Sequence, residues 1–397
     1  MNGNVPKLRF NGFEDEWKEK KMASLGRFFK GNGISKIDLS ENGKECILYG
    51  ELYTTYGEVI TYIKSKTDIN LKNEVLSKIN DVIIPSSGET AVDIATASCV
   101  MKDGVLLGGD LNVFRPNKDN GVFISYQLSK AKKKEIAKIA QGASVVHVYN
   151  EQLKKVKLDI PSLKEQEKIA NFLSNVDKII EEQEGKVKDL ELYKKGMMQK
   201  IFKQEIRFKD DNGENYPEWE EKKLGEISEF TNGKAHENDI ALDGEFIVVN
   251  SKFISSNGKV VKHSNSILCP LNVNDIAIVM SDVPNGKVLG KTFLIDREKL
   301  YTLNQRIGGI RVLKQNPVFI QYIINRNKYY LKFDNGVGQT NLRKIEVLDC
   351  PIELPCLEEQ TKIANFLSNI DKIIEEENKK LEDSRKWRKG LLQQMFV

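Results

Sequence analysis

Apolar residues recur at every third or fourth position in one stretch near the middle of the chain. The members of this track are Ile169, Leu173, Val176, Ile180 and Val187. Such spacing places side chains along one side of an α-helix. Ser162 and Glu165 precede the track in an S-x-x-E motif, in which each side chain can bond to a free N–H of the first turn. The pattern predicts a long helix over residues 161–205 with an apolar seam.

A second track of the same kind lies at the end of the chain. Its members are Ile363, Leu367, Ile370, Ile374 and Leu381. Polar residues interrupt the two tracks at Gln183, Lys194, Glu377, Ser384 and Arg388. Each stretch covers about 40 residues, or roughly 60 Å of helix, and a helix with one apolar stripe needs a packing partner in water. We expect the two helices to pair antiparallel, because a folded domain must fit between them; the alternative is that each packs only on its own domain.

The two tracks belong to an internal repeat. Residues 168–182 read KIANFLSNVDKIIEE and residues 362–376 read KIANFLSNIDKIIEE, an offset of 194 residues with a single difference. A weaker repeat pairs EWKEKKM at 16–22 with EWEEKKL at 218–224. The sequences between the repeated blocks are almost unrelated. A duplicated frame with unlike inserts predicts a pseudo-twofold molecule that recognises two different things.

Both inserts show short apolar runs that are bounded by glycine and asparagine. The first adds a charged helical stretch at 129–140, and the second adds an apolar-aromatic helix candidate at 317–333. Runs such as NDVIIPSSGE and NDIAIVMSDVPNG are typical of strands that end in turns. The sequence therefore predicts an α/β (α+β) chain of four parts. These are a mixed α/β domain at 1–160, a helical spacer at 161–205, a second mixed domain at 206–356 and a second spacer at 357–397.

Composition narrows the classes of function. The 397 residues carry a formal charge of +4, which permits a nucleic-acid partner without requiring one. No apolar run is long enough to span a membrane, and the opening residues carry no secretory signal, so we expect a cytoplasmic protein without a membrane partner. Five scattered cysteines and three separated histidines indicate neither a disulfide framework nor a metal site. The N-P-P-[FY] and D-P-P-[FY] tetrapeptides of amino-methyltransferases are absent, so we expect a chain that is not an enzyme.

These residues resemble the specificity subunits of type I restriction-modification systems. The resemblance covers essentially the whole chain, and its most specific parts are two P-x-L-x-E-Q-x-K-I-A-x-F-L blocks, at Pro161–Leu173 and Pro355–Leu367. The opening L-R-F-x-G-F-x-x-E-W at Leu8–Trp17 is typical as well, as are LYTTYG, PSSGET and LGGDLNVFRP in the first insert. The linker LRKIEVLDCPIELPCL departs from the pattern by five extra residues relative to LKKVKLDIPSL.

The resemblance implies two target-recognition domains held apart by two long helices in an antiparallel coiled coil. Each domain would read one half of a bipartite target in double-stranded DNA. Family members recruit two methyltransferase subunits, which use S-adenosylmethionine to methylate adenine, and two ATP-driven translocase-nuclease subunits. No cofactor is expected in this chain, because S-adenosylmethionine, ATP and Mg belong to the partner subunits.

An alignment of the two halves places Ser86–Thr90 beside Met280–Pro284 and Gly109–Arg115 beside Gln305–Arg311. We expect loop residues of these regions to meet DNA bases or phosphates. The candidate DNA-binding residues are Tyr53, Thr54, Ser86, Ser87, Gly88, Glu89, Thr90, Asn112, Arg115, Asn250, Ser251, Lys252, Ser281, Asp282, Asn304, Gln305, Arg306 and Arg311. For any one of them the alternative is an exposed turn without a ligand, and Tyr53 could equally pack in the core.

Two further classes of function compete with DNA reading. One is a coiled-coil scaffold whose two domains bind proteins and never contact DNA. The other is a fused enzyme that carries out methylation itself, against which the missing tetrapeptide argues.

Overall fold

The computed structural model describes residues 4–142, 145–284, 286–334 and 336–397. The chain divides into two compact units. The first comprises Met1–Lys186 together with Glu377–Val397, and the second comprises Val187–Glu376. Each unit therefore contains one domain and a segment of each of the two long helices.

The first unit is built mainly from short strands joined by brief helices. Its strands are β1 (Lys18–Lys21), β2 (Gly26–Lys30), β3 (Leu39–Ser40), β4 (Lys44–Ile47), β5 (Val59–Ile60), β6 (Ser65–Thr67), β7 (Asp81–Pro85), β8 (Ser87–Gly88), β9 (Ser98–Val100), β10 (Leu106–Leu107), β11 (Leu111–Pro116), β12 (Val146–His147) and β13 (Lys157–Ile160). Its helices before the first long one are α1 (Glu51–Thr54), α2 (Ala91–Ile94), α3 (Gly121–Ser129), α4 (Lys133–Ile139) and α5 (Asn150–Leu153).

A mixed sheet with the order β2-β11-β7-β9-β5 forms the centre of this unit, and a smaller sheet follows the order β10-β4-β6-β3. Every residue of β7 is buried, because both faces of this central strand are covered. Helix α3 is buried along its whole length and packs on β9 and β7. Two short antiparallel pairs, β1 with β13 and β8 with β12, complete the part of the unit that the structure describes.

The second unit has the same plan. Its strands are β14 (Glu220–Lys223), β15 (Ser228–Asn232), β16 (Phe246–Val249), β17 (His263–Ser264), β18 (Ile276–Val279), β19 (Ser281–Asp282), β20 (Thr292–Leu294), β21 (Tyr301–Leu303), β22 (Ile307–Val312), β23 (Thr340–Asn341) and β24 (Pro351–Leu354). The two long helices are α6 (Leu163–Phe202) and α11 (Leu357–Gln394), and the shorter helices between them are α7 (Ser251–Ser255), α8 (Pro317–Ile324), α9 (Lys328–Leu331) and α10 (Lys344–Leu348).

Sheets of the second unit follow the orders β15-β22-β18-β20 and β17-β16-β21, with the short pairs β14-β24 and β19-β23. Strand β18 takes the place of β7, β22 that of β11, and the pair β19-β23 that of β8-β12. Two domains with unrelated sequences therefore share one backbone plan, which confirms the predicted internal repeat of mixed α/β domains.

The prediction that the second linker carries five extra residues is wrong. The amide of Met22 donates to the carbonyl oxygen of Val156, and the amide of Leu224 donates to that of Cys350. The two acceptors, Val156 and Cys350, are again 194 residues apart. Strands β13 and β24 follow at the same offset, and each is followed by a proline. The sequence comparison had aligned α10 with the wrong residues of the first linker.

The long helices carry the predicted apolar seam. Ile169, Leu173, Val176, Ile180 and Val187 are buried on α6, as are Ile363, Leu367, Ile370 and Leu381 on α11, whereas Ile374 is half-buried. Within the first unit, Asp177 contacts Arg388 and Lys186 contacts Glu377, so the numbering rises on one helix as it falls on the other. The helix segments therefore run antiparallel, as predicted.

Most of the polar residues that interrupt the seam form ion pairs. Lys194 lies 2.5 Å from Asp371, and Glu377 lies 3.0 Å from Lys186. Arg388 contacts Asp177 and lies 2.7 Å from the buried Glu58. Burial opposes the charge of Arg388, but hydrogen bonds to Asp177 and the charge of Glu58 outweigh it and raise the pKa of the guanidinium. These groups tie each helix segment to the other helix or to its own domain.

The seam predicts that the same substitution at a buried and at an exposed position of α6 has different effects on stability. Leu173 is 1% exposed, whereas Ile179 is 49% exposed on the same helix. We expect Leu173→Asp to destabilise the chain by about 3 kcal/mol or more, since it removes buried apolar contacts and buries an unpaired charge. Ile179→Asp, the matched control, should change stability by about 0.5 kcal/mol or less. Thermal unfolding of both variants tests this, and equal shifts in melting temperature would contradict the seam.

Candidate nucleic-acid interface

Buried polar contacts fasten the first domain to the start of α6. Glu165 is 1% exposed, and its carboxylate accepts two hydrogen bonds from Arg9, at 2.7 and 2.8 Å, and one from the Trp17 indole at 3.3 Å. The expected reciprocal bond of Glu165 to the helix start is replaced by these contacts, and Ser162 alone caps, at 3.4 Å. The hydrogen bonds to Glu165 raise the pKa of Arg9.

The same contacts recur at the start of α11. Glu359 is fully buried and accepts hydrogen bonds from Arg207 at 2.9 Å and from Trp219 at 3.2 Å. The neighbouring glutamines, Gln166 and Gln360, accept bonds from the backbone amides that begin α3 and α8, at 2.9 and 3.0 Å. Each domain is thereby fastened to the start of its own long helix.

In the first unit, the chain that leaves β7 forms a polar edge. The amide of Ser86 donates to the carbonyl oxygen of Asp110 at 2.7 Å, and the amide of Val148 donates to that of Ser86 at 3.1 Å. Strand pairing then places Ser87 opposite His147. The Ser87 hydroxyl is buried and has no hydrogen-bond partner among the described residues.

Aromatic and basic side chains stand on this edge. The rings of His147 and Tyr149 are stacked with centroids 6.0 Å apart, and the ammonium of Lys30 lies 5.3 Å from the Tyr149 centroid. Tyr149 is 45% exposed. An accessible aromatic stack beside a cation suits contact with the phosphates and bases of a nucleic acid.

In the second unit the same edge is built on equivalent backbone bonds. The amide of Met280 donates to the carbonyl oxygen of Arg306 at 3.0 Å, and the amide of Leu342 donates to that of Met280 at 2.7 Å. Ser281 then lies opposite Asn341. A cavity of about 170 Å³ opens here, and its lining includes Arg306, Asn341, Ser281 and Asn232.

The structure separates the candidate residues by their exposure. The exposed ones are Thr54, Glu89, Thr90, Lys252, Gln305, Arg306 and Arg311, and the partly exposed ones are Tyr53, Arg115, Asn250, Ser251 and Asn304. Ser86, Ser87, Gly88, Asn112, Ser281 and Asp282 are buried. The DNA-binding role of the accessible residues stays a prediction.

Several candidates have structural contacts that account for their presence. Asn112 is fully buried and its amide bonds to the carbonyl oxygen of Val148 at 2.9 Å, so it cannot reach a ligand without unfolding the edge. Asp282 accepts bonds from backbone amides of the following loop, at 2.7 to 3.0 Å. Asn250 caps helix α7 through its side-chain oxygen. We therefore leave these three out of the interface.

Two candidate arginines are held by carboxylates of the neighbouring strands. Arg115 lies 2.6 Å from Asp81, and Arg311 lies 2.9 Å from Asp275. These hydrogen bonds raise the pKa of both guanidiniums. Each pair braces the end of a central strand, and the Arg115 guanidinium also lies over the Phe29 ring.

The sequence predictions missed Lys30, His147, Tyr149, Asn232 and Asn341. His147 and Asn341 stand exactly one repeat offset apart, as do Tyr149 and Arg343, so the offset was the signal that could have found them. His147 and Asn341 lie in segments that are remote in sequence from β7 and β18, and strand pairing brings them to the edge.

Neither a metal centre nor a membrane span is found in the part of the chain that the structure describes. No group of three or more His, Cys, Asp or Glu side chains there could hold a metal ion. No described helix is both long and apolar enough to cross a membrane.

Known proteins resemble this chain in sequence and in fold. A specificity subunit of the type I restriction enzyme MjaVIII from Methanocaldococcus jannaschii is 26% identical over 405 residues, which cover 95% of this chain and 91% of that one. The crystal structure of a type I restriction-modification S subunit from M. genitalium has a TM-score of 0.64 at 17% identity and covers 99% of both chains. A second solved structure, described in a study of complex assembly and conformational transition of the type I R-M system, has a TM-score of 0.56 at 14% identity. The match covers 97% of this chain and 98% of that one.

The model of one protein family matches most of the chain. It describes the type I restriction modification DNA specificity domain, and it matches twice, at residues 14–192 and 216–383. The two matches correspond to the two halves of the internal repeat. The chain therefore belongs to the type I restriction-modification DNA specificity family.

Proposed function

We propose that this chain reads a bipartite target in double-stranded DNA for a type I restriction-modification complex. Each recognition domain binds one half of the target, and the paired helices set the distance between the halves. One observation carries the proposal. Equivalent backbone bonds build the same accessible edge in both units, yet the side chains on the two edges differ.

Side-chain chemistry of the two edges supports DNA as the ligand. The first edge combines Lys30 with the His147–Tyr149 stack, and the second presents Arg306 beside Asn341. Cationic side chains hold phosphates, whereas arginine and asparagine also read base edges in the major groove. A protein-binding scaffold would not require this polar composition at the same place in both domains.

The outer face of the helices suits two copies of one partner. Ile179 and Ile373 are equivalent under the repeat and are 49% and 45% exposed, and Tyr193 and Trp387 are equivalent and both 52% exposed. Apolar side chains that remain accessible at equivalent positions are typical of protein interfaces. We assign this face to two methyltransferase subunits, with two translocase-nuclease subunits completing the complex.

Catalysis belongs to those partners in this proposal. S-adenosylmethionine serves the methyltransferase subunits, while ATP and Mg serve the translocase-nuclease subunits. The contribution of this chain is to choose the DNA sequence and to position it.

Exchange of one domain tests the two-reader proposal. We expect replacement of residues 1–160 by the corresponding domain of another specificity subunit to change one half-site and leave the other unchanged, because each edge is built within its own unit. Methylated adenines are mapped in cells that express the chimera with the methyltransferase. A chimera with two altered half-sites would show that the domains do not read independently.

The docking face has its own test. Ile179→Asp leaves the buried seam intact, so we expect normal thermal unfolding together with at least tenfold weaker assembly with the methyltransferase. Analytical ultracentrifugation of the mixed subunits measures the assembly. Lys178→Asp, an exposed neighbour, is the control for added negative charge. If both variants assembled like the unaltered chain, the partner would dock elsewhere.

A further inference from the structure

Arg306 stands in a turn whose backbone is fixed from both sides. It joins β21 to β22 with a φ of 65°, in the left-handed region that arginine seldom adopts. Its carbonyl oxygen accepts the bond from Met280, and the amide of Ile307 closes the turn on Asn304 at 3.2 Å. Gly233 packs so closely beneath that a Cβ there would lie 1.9 Å from the Asn304 carbonyl oxygen. The turn therefore projects Arg306 from a rigid base.

The Arg306 side chain is exposed, and its guanidinium makes no hydrogen bond or ion pair with the described residues. In the same unit Arg311 is paired with Asp275 and Arg343 with Glu346, whereas one guanidinium nitrogen of Arg326 is buried without a partner among the described residues. The equivalent residue in the first unit is Asp110, which also has a positive φ, of 58°. Aspartate tolerates that backbone more readily than arginine does. Lys299, Lys314 and Arg326 of this unit also have a positive φ, so Arg306 is singled out by its place on the cavity rather than by its backbone.

Asn341 lies beside Arg306 on the same cavity. Strand pairing fixes it opposite Ser281, whose hydroxyl accepts a bond from Gln339 at 2.8 Å. Asn341 is exposed, and its side-chain amide makes no hydrogen bond with the described residues. A planar cation and a planar amide thus line one cavity at the accessible edge of the second domain.

We propose that Arg306 and Asn341 read two bases of the half-site that the second domain binds. Arginine bonds in bidentate fashion to O6 and N7 of guanine, and asparagine bonds in the same way to N6 and N7 of adenine. The half-site of the second domain therefore contains a guanine and an adenine within reach of one cavity. This inference rests on the proposed DNA-reading function and identifies the residues that carry its specificity.

The first domain places different chemistry on the same backbone. Asp110 and His147 occupy the positions of Arg306 and Asn341. A carboxylate accepts a bond from N4 of cytosine and repels the electron-rich edge of guanine. The two half-sites are consequently unlike at the positions that these residues reach.

The test uses the assembled methyltransferase complex and a library of DNA targets that are randomised in the half-site of the second domain. This half-site is the one that stays unchanged when residues 1–160 are exchanged. Arg306→Gly is the main variant, because glycine favours the positive φ and keeps the turn folded. We expect its preference for guanine at one position to fall about ten- to a hundredfold, with the other half-site unchanged. Asn341→Ala should relax the preference for adenine at a second position to a similar degree.

Lys299→Ala is the matched control, since Lys299 is exposed, basic and has a φ of 55°, but lies away from the cavity lining. It should leave all base preferences unchanged. The inference is overturned if Arg306→Gly weakens methylation equally for every sequence, or changes no preference. If the unaltered complex methylates without sequence preference, the proposed function itself fails, which is a distinct result.

Discussion

A buried glutamate and the glutamine that follows it, at the start of each long helix, are the contacts on which the rest of the structure depends. Glu165 and Glu359 are inaccessible to water, and each accepts hydrogen bonds from one arginine and one tryptophan of its domain. A carboxylate so buried is strongly destabilising unless a cation and hydrogen bonds compensate it. The helix start and its domain must therefore keep one mutual position, and the recognition edge inherits that rigidity.

The glutamines explain why one frame accepts two unlike domains. Gln166 and Gln360 bond mainly to backbone groups, the amides at the start of α3 and α8 and the carbonyl oxygens of Pro161 and Pro355. Each also donates to one side chain outside the edge, Gln166 to Asp119 and Gln360 to Gln315. Backbone groups are present whatever the inserted sequence is, so these contacts do not restrict the side chains of the edge. Each helix start can therefore hold its own domain in one position while the surface chemistry of the two domains diverges.

Periodicity and repetition were sufficient to predict the helices, the antiparallel pairing and the mixed α/β domains, because apolar spacing and the offset of 194 residues are written directly in the chain. The polar residues Lys194 and Arg388 looked like defects of the seam, since their partners Asp371 and Asp177 lie far away in sequence. The candidate site was harder to predict. Loop alignment found Arg306, but Asn112 proved buried, and Tyr149 reaches the edge only through the pairing of β8 with β12. Exposure depends on tertiary contacts that no local pattern records.

A matched lengthening of both helices tests most directly the claim that a rigid antiparallel pair spaces two independent readers. Four residues are inserted after Gly185 in α6 and four after Asn378 in α11, so that the pairing is kept while the helices grow by about 6 Å. Mapping of methylated adenines should show unchanged half-sites with a gap longer by about two base pairs, at 3.4 Å per base pair. An unchanged gap, or altered half-site sequences, would contradict the account.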